Sequence, residues 1–429
     1  MKSMTHFSIK KAVITAALVV SASSISTQAL AQSAAVVCPG YTPKPTEIVG
    51  QRAGKKAQKA FEAYSDETVD EKLRVKNAID ILLEVEAEGF DQAYVDNFIG
   101  QLYASFDQAK ALTYIKRAAD ANVLNDGEQA SALRTTADLL LMDKQYKNAV
   151  GAYKKWIAFT CKEDAGVYLR MAQAYYESGD LAGILEPADK AIELNKQAGK
   201  LDKNPYLLKL TSFYERKLYP QTVKVAEELV RIFPSEKQWW VQLGQFYFLV
   251  ENFDKALSTL EIAYNQGYLE KPQQVKILAQ LYAQNDIPFK AATLLEKHIK
   301  SGFIKLDDSL TSSMANSFHQ ARDYKKAAYY YGKVAQSSGD PEYYRKQGTL
   351  LLAAEDYKGA LAALEKSLKG TDKIGRVHMA MMEANFYQGN FKEAHKHVVE
   401  AGKDKSTARS ARSWEPYIKE KARNRGIRI

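Results

Sequence analysis

Very few side chains in this sequence are spaced for chemistry. There is no Gly-x-Ser-x-Gly elbow, no Gly-rich phosphate loop closing on Lys and Ser/Thr, and no His-Glu-x-x-His zinc helix. His395 and His397 lie two residues apart, which puts them on different sides of a helix, whereas a metal pair favours an i, i+4 spacing. His298 falls in a helix-packing slot and reads as a structural, half-buried histidine. The acidic pairs Glu227-Glu228 and Asp307-Asp308 read as solvated faces. Cys38 and Cys161 fit no metal site; they form a disulfide if the compartment is oxidising, or remain two separate thiols. The expectation is therefore a chain with no catalytic residue, no metal and no cofactor, not an enzyme.

The elements behind these residues declare themselves through a repeat. Trp240, Leu243, Gly244, Tyr247, Phe253, Ala256, Leu260 and Ala263 make a phrase that recurs at intervals of 33 to 38 residues. That period marks stacked helix–turn–helix units of the tetratricopeptide (TPR) kind. Taking the first small residue of each unit as position 8 gives Ala137, Ala172, Leu210, Gly244, Ala279, Ala315, Gly348 and Met382. Twelve residues on stand Ala149, Ile184, Thr222, Ala256, Ala291, Ala327, Ala360 and Ala394; six of these eight are alanine, a side chain short enough for close helix approach. The fold class expected is all-α: a right-handed TPR superhelix (α-solenoid) of about eight clear repeats, with degenerate helices before them and a capping helix after. The corresponding boundaries are a Pro-rich extended leader at 32–50, degenerate helices at 51–121, one unbroken solenoid at 122–402 and a basic capping helix and tail at 403–429.

In such repeats the first helix lines the concave wall through positions 2, 5, 9, 12 and 13. Position 9 is polar throughout, and Gln173, Thr211, Gln245, Gln280, Asn316, Thr349 and Glu383 are candidates to hydrogen-bond an extended peptide backbone. Position 12 supplies Tyr176, Tyr214, Phe248, His319 and Phe386, rings that would receive its side chains. The alternative is that polar wall residues simply keep an open face wet. A charged clamp for a terminal carboxylate is missing, because Arg345, Lys276 and Arg376 are scattered.

The two ends carry different information. Residues 1–31 begin with Lys2, Lys10 and Lys11, continue in an apolar run from Ala12 to Val20, and close on Ala29-Leu30-Ala31. That pattern is a secretory signal peptide cut after Ala31, and its serines break the run well short of the ~20 apolar residues a membrane anchor needs. The mature chain is therefore expected to be exported. The formal charge of +9 includes +3 from this segment and +6 from residues 403–429, where nine Lys or Arg meet three acids. The repeats between are nearly neutral, which argues against nucleic acid as the partner. The basic tail reads as a solubilising cap, or as a contact for an anionic surface.

Three stretches are more specific than the repeat itself: Trp239-Trp240-Val-Gln-Leu-Gly-Gln-Phe-Tyr247, Ile287-Pro-Phe-Lys-Ala-Ala292 and Trp414-Glu-Pro-Tyr-Ile418. Over residues 200–420 the chain resembles the periplasmic TPR protein that accompanies TonB, ExbB and ExbD in energy transduction. The resemblance implies a non-catalytic scaffold supporting outer-membrane uptake of nutrients such as iron chelates, with TonB/ExbB/ExbD-type components as partners. It brings no catalytic residues. An adaptor for pilus, outer-membrane-protein or polysaccharide export is the alternative of the same class; a cell-wall or polysaccharide-active enzyme is the alternative of another.

Overall fold

The computed structural model describes residues 35–429; the expected signal peptide lies outside the described residues. These residues form helices joined by short turns, in two compact units that divide between Phe233 and Pro234. The first unit contains α1 (Gln51–Ser65), α2 (Glu71–Leu83), α3 (Gly89–Tyr103), α4 (Gln108–Ala121), α5 (Asp126–Met142), α6 (Tyr146–Thr160), α7 (Ala165–Glu177), α8 (Leu185–Gln197), α9 (Asn204–Glu215) and α10 (Tyr219–Ile232). The second contains α11 (Lys237–Leu249), α12 (Phe253–Asn265), α13 (Pro272–Gln284), α14 (Pro288–Lys300), α15 (Asp308–Gln320), α16 (Tyr324–Ser338), α17 (Pro341–Ala353), α18 (Tyr357–Ser367), α19 (Ile374–Tyr387), α20 (Phe391–Gly402) and α21 (Ala408–Asn424). Within each unit every helix packs on the next in sequence, the contact order of a stacked repeat.

The small residues explain the pairing. All sixteen residues at the two short positions are buried, from Ala137 and Ala149 to Met382 and Ala394. At Gly244 a Cβ would stand 2.5 Å from Leu260 Cγ, and at Gly348 one would stand 2.6 Å from Leu364 Cγ. The second helix therefore seats a leucine directly on the backbone of the first. Position 11 fills the space between pairs with Tyr247, Tyr282 and the fully enclosed Phe318.

The turn inside each pair is also uniform, although its sequence is not. Seven residues after each first small residue, φ is positive in all eight units: Lys144, Gly179, Lys217, Glu251, Asp286, Arg322, Glu355 and Gly389. In seven of the eight, the following amide donates to the carbonyl five residues back, as from Asn252 N to Tyr247 O and from Asp323 N to Phe318 O. This is the left-handed stop that ends a helix and caps its last carbonyls. Asn252, Asp323 and Asp356 then cap the next helix through their side chains, accepting from Lys255 N, Lys326 N and Gly359 N.

The leader, residues 35–50, is extended and bound along the first unit. Val37 N donates to Thr160 O at 2.8 Å, Tyr41 Oη to Asp126 Oδ1 at 2.6 Å, and Gly50 N to Asp91 Oδ1 at 2.8 Å. Glu47 exchanges two hydrogen bonds with the Asn125 amide. Cys38 and Cys161 are joined by a disulfide, with Cα atoms 4.9 Å apart. At the other end α21 packs on α20, burying Ala411, Ile418 and Ala422, with Pro416 inside the helix.

Candidate binding face on the first helices

The position-9 and position-12 residues fall on the first helix of each pair, and the chain division separates them into two groups. Gln173 and Tyr176 stand on α7, and Thr211 and Tyr214 on α9, which α7 touches; all four are half-buried. The second unit carries Gln245 and Phe248 on α11, Gln280 on α13, Asn316 and His319 on α15, Thr349 on α17, and Glu383 and Phe386 on α19. Gln280, Asn316, His319 and Thr349 are exposed; the other four are half-buried.

These residues are not equivalent. The side-chain amides of Gln173, Gln245 and Gln280 make no hydrogen bond to another described residue, so their donors and acceptors face solvent or a ligand. Asn316 differs, because its Oδ1 accepts from the Tyr331 hydroxyl of α16. The same device occurs at Asp138, which accepts from Tyr153 and is paired with Arg170. There, position 9 ties the two helices of its own repeat together. Thr349 Oγ1 donates back to Arg345 O at 2.9 Å, a bond within its own helix. His319 meets Tyr324 and Tyr331 edge-on at 6.4 and 6.5 Å.

At α19 the rings accumulate. Phe386 lies 5.5 Å from both Trp414 and Tyr417 of α21 and 5.7 Å from Tyr387, which stacks at 5.6 Å on Tyr357 of α18. Tyr387 is 55% exposed and Tyr417 43%. Sequence reasoning did not reach Tyr357, Tyr387, Trp414 and Tyr417 as one cluster. Tyr387 occupies position 13, itself a wall position, and tabulating that column would have found it.

Several acids and histidines elsewhere are held by neighbours. Asp96, almost wholly buried, is gripped by the Arg117 guanidinium. Hydrogen bonds from Arg345 first, with Lys373 adding to them, hold Glu342 down to about 2. His298 accepts or donates at Tyr264 Oη, 3.1 Å away, and burial lowers its pKa. His397 meets a residue distant in sequence, His378 of α19, Nδ1 to Nδ1 at 3.1 Å with stacked rings. Among the described residues no group of three or more His, Cys, Asp or Glu is placed to hold a metal ion, and no helix is long and apolar enough to cross a membrane.

No family model matches the chain, and no curated protein does either. Solved structures similar to it include the C-terminal part of a TPR repeat-containing protein from Cytophaga hutchinsonii, 18% identical, covering 57% of this chain and 98% of that one at a TM-score of 0.35. Another is a tetratricopeptide repeat protein from Parabacteroides merdae, 13% identical, covering 63% and 100% at a TM-score of 0.35. A third is Naa15/Naa10 bound to HypK-THB, 13% identical, covering 87% and 65% at 0.45. What decides the repeat type is internal to the chain: two buried short positions twelve residues apart and a left-handed turn between them, in eight successive units. The helix pairs form an all-α stacked repeat of the α-solenoid class.

Proposed function

We propose that this TPR chain is a non-catalytic scaffold of the Gram-negative periplasm that supports a TonB-type energy-transduction complex by binding extended segments of its proteins. The observation that carries the binding role is the pair of unpartnered amides, Gln245 on α11 and Gln280 on α13, with the Phe248 ring one turn on from Gln245. Amides of this kind match a peptide backbone, which offers both donors and acceptors. The Cys38–Cys161 disulfide supports an exported, oxidising location. The TonB assignment rests on the sequence resemblance over residues 200–420.

Two measurements test this reading. Crosslinking in the periplasm followed by pull-down is expected to recover TonB-, ExbB- or ExbD-type proteins; recovery of secretion or assembly components in their place refutes the assignment. Substituting Gln245 and Gln280 together by alanine is expected to weaken the recovered partner about tenfold or more, since each lost backbone hydrogen bond is worth about 1 kcal/mol. Unchanged affinity with an unchanged melting profile removes the first-helix face from the function.

A further inference from the structure

Several buried or half-buried carboxylates among the described residues are paired with a cation. Asp96 has Arg117, Asp138 has Arg170, Glu261 has Lys290, Glu296 has Lys326 and Lys300, and Glu342 has Arg345 and Lys373. Glu383 is not paired in this way. It is half-buried on α19 and makes no hydrogen bond or ion pair with any described residue. Burial, with nothing to offset it, pushes its carboxyl above the ordinary range, the only acid among the described residues shifted that way. Leaving a charge half-desolvated and unpaired costs stability. A side chain in this position is paired by something outside the chain or is a liability.

The surroundings define what would pair with it. Tyr387 stands four residues on, on the same helix face, and its ring stacks on Tyr357 at 5.6 Å with planes 20° apart. Glu383 is close enough to contribute to the upward shift of the Tyr357 hydroxyl, after burial, Glu355 and Tyr387. The aromatic row continues through Phe386 to Trp414 and Tyr417. Three cations at this end of the chain are engaged elsewhere: Lys419 with Glu415, Lys421 5.1 Å over the Tyr417 ring and Arg425 5.2 Å over Phe391.

We propose that Glu383, Tyr357 and Tyr387 form a receptor for an arginine side chain on an extended segment of a partner protein. The carboxylate takes the guanidinium fork and the exposed Tyr387 ring, backed by Tyr357, takes its plane, a combination that favours arginine over the compact, strongly hydrated ammonium of lysine. The row from Phe386 to Tyr417 receives the apolar residues beside it. This inference deepens the scaffold reading and rests on it, by naming the partner chemistry at one end of the first-helix face.

The test is selection from a random dodecapeptide display library on the oxidised mature chain, run in parallel on wild type and Glu383→Gln. Wild type is expected to enrich peptides with arginine at one fixed position, and these should bind Glu383→Gln and Tyr387→Leu at least tenfold more weakly by fluorescence anisotropy. Glu383→Gln should melt no lower than wild type at pH 7, because it removes an unpaired charge, so lost binding there is not lost folding. Equal enrichment of lysine, or equal affinity for wild type and Glu383→Gln, overturns the arginine receptor. Peptides without arginine that depend on Gln245 and Gln280 leave the scaffold reading standing and sink this one. Selection of no peptide sinks both.

Discussion

Removing the disulfide tests how the leader is held. Cys38 and Cys161 are 123 residues apart, and the closed loop contains α1 to α6. Loop-closure entropy for a chain of that length is about −16 cal/mol/K, or ~5 kcal/mol at 25 °C, as an upper limit. The native contacts survive the change, because Val37, Tyr41, Glu47 and Gly50 keep their hydrogen bonds to Thr160, Asp126, Asn125 and Asp91. The cost therefore falls on openings that free both ends, and a stacked repeat array can open locally rather than all at once. The comparison is amide exchange by mass spectrometry on the oxidised protein and on Cys38→Ser/Cys161→Ser. Protection in α3 to α6 is expected to fall by up to about three orders of magnitude, since each 1.4 kcal/mol is tenfold. Helices from Lys237 onward should exchange as before. Equal protection in the two proteins refutes the entropic argument, and uptake of two alkyl groups by the unreduced protein refutes the bridge itself.

Two further outcomes follow from the geometry. Arg322 holds φ at 60° in its turn and makes no side-chain interaction, so Arg322→Gly should raise stability by about 1 kcal/mol in chemical denaturation; a lower midpoint contradicts the account of the turn. Burial lowers the pKa of both His378 and His397, and His378 lowers that of His397 further, while Glu400, Glu393, Lys396 and Lys403 face them with mixed sign. Depressed folded pKa values mean stability that is present above the ordinary histidine range and lost as pH falls through the lowered values. Exchange in α19 and α20, corrected for intrinsic rates, should accelerate between pH 7.5 and pH 5, and His397→Phe should flatten that dependence; an unaltered profile in the variant counts against it.

The all-helical repeat was legible because it depends on local period. Short residues twelve apart need no long-range information to predict close helix approach, and all sixteen are buried. The turns were only half legible. Gly179 and Gly389 announce a left-handed residue, but Lys144, Lys217, Glu251, Asp286, Arg322 and Glu355 adopt the same backbone because the next helix must pack back on the first. Position numbering identified the first-helix residues yet could not rank them. Gln245 and Asn316 look alike in sequence, and only packing shows that a tyrosine from the second helix already holds Asn316. Pairs between helices were likewise invisible: His378 with His397, and Tyr357 with Tyr387. Sequence by itself determined which residues build the hairpins, since burial in a repeat follows from spacing along one helix. Which polar residues remain unpaired was decided by tertiary structure, because a partner for a carboxylate or an amide comes from whatever side chain a neighbouring helix brings within about 3 Å. For Glu383, as for Gln245 and Gln280, none came.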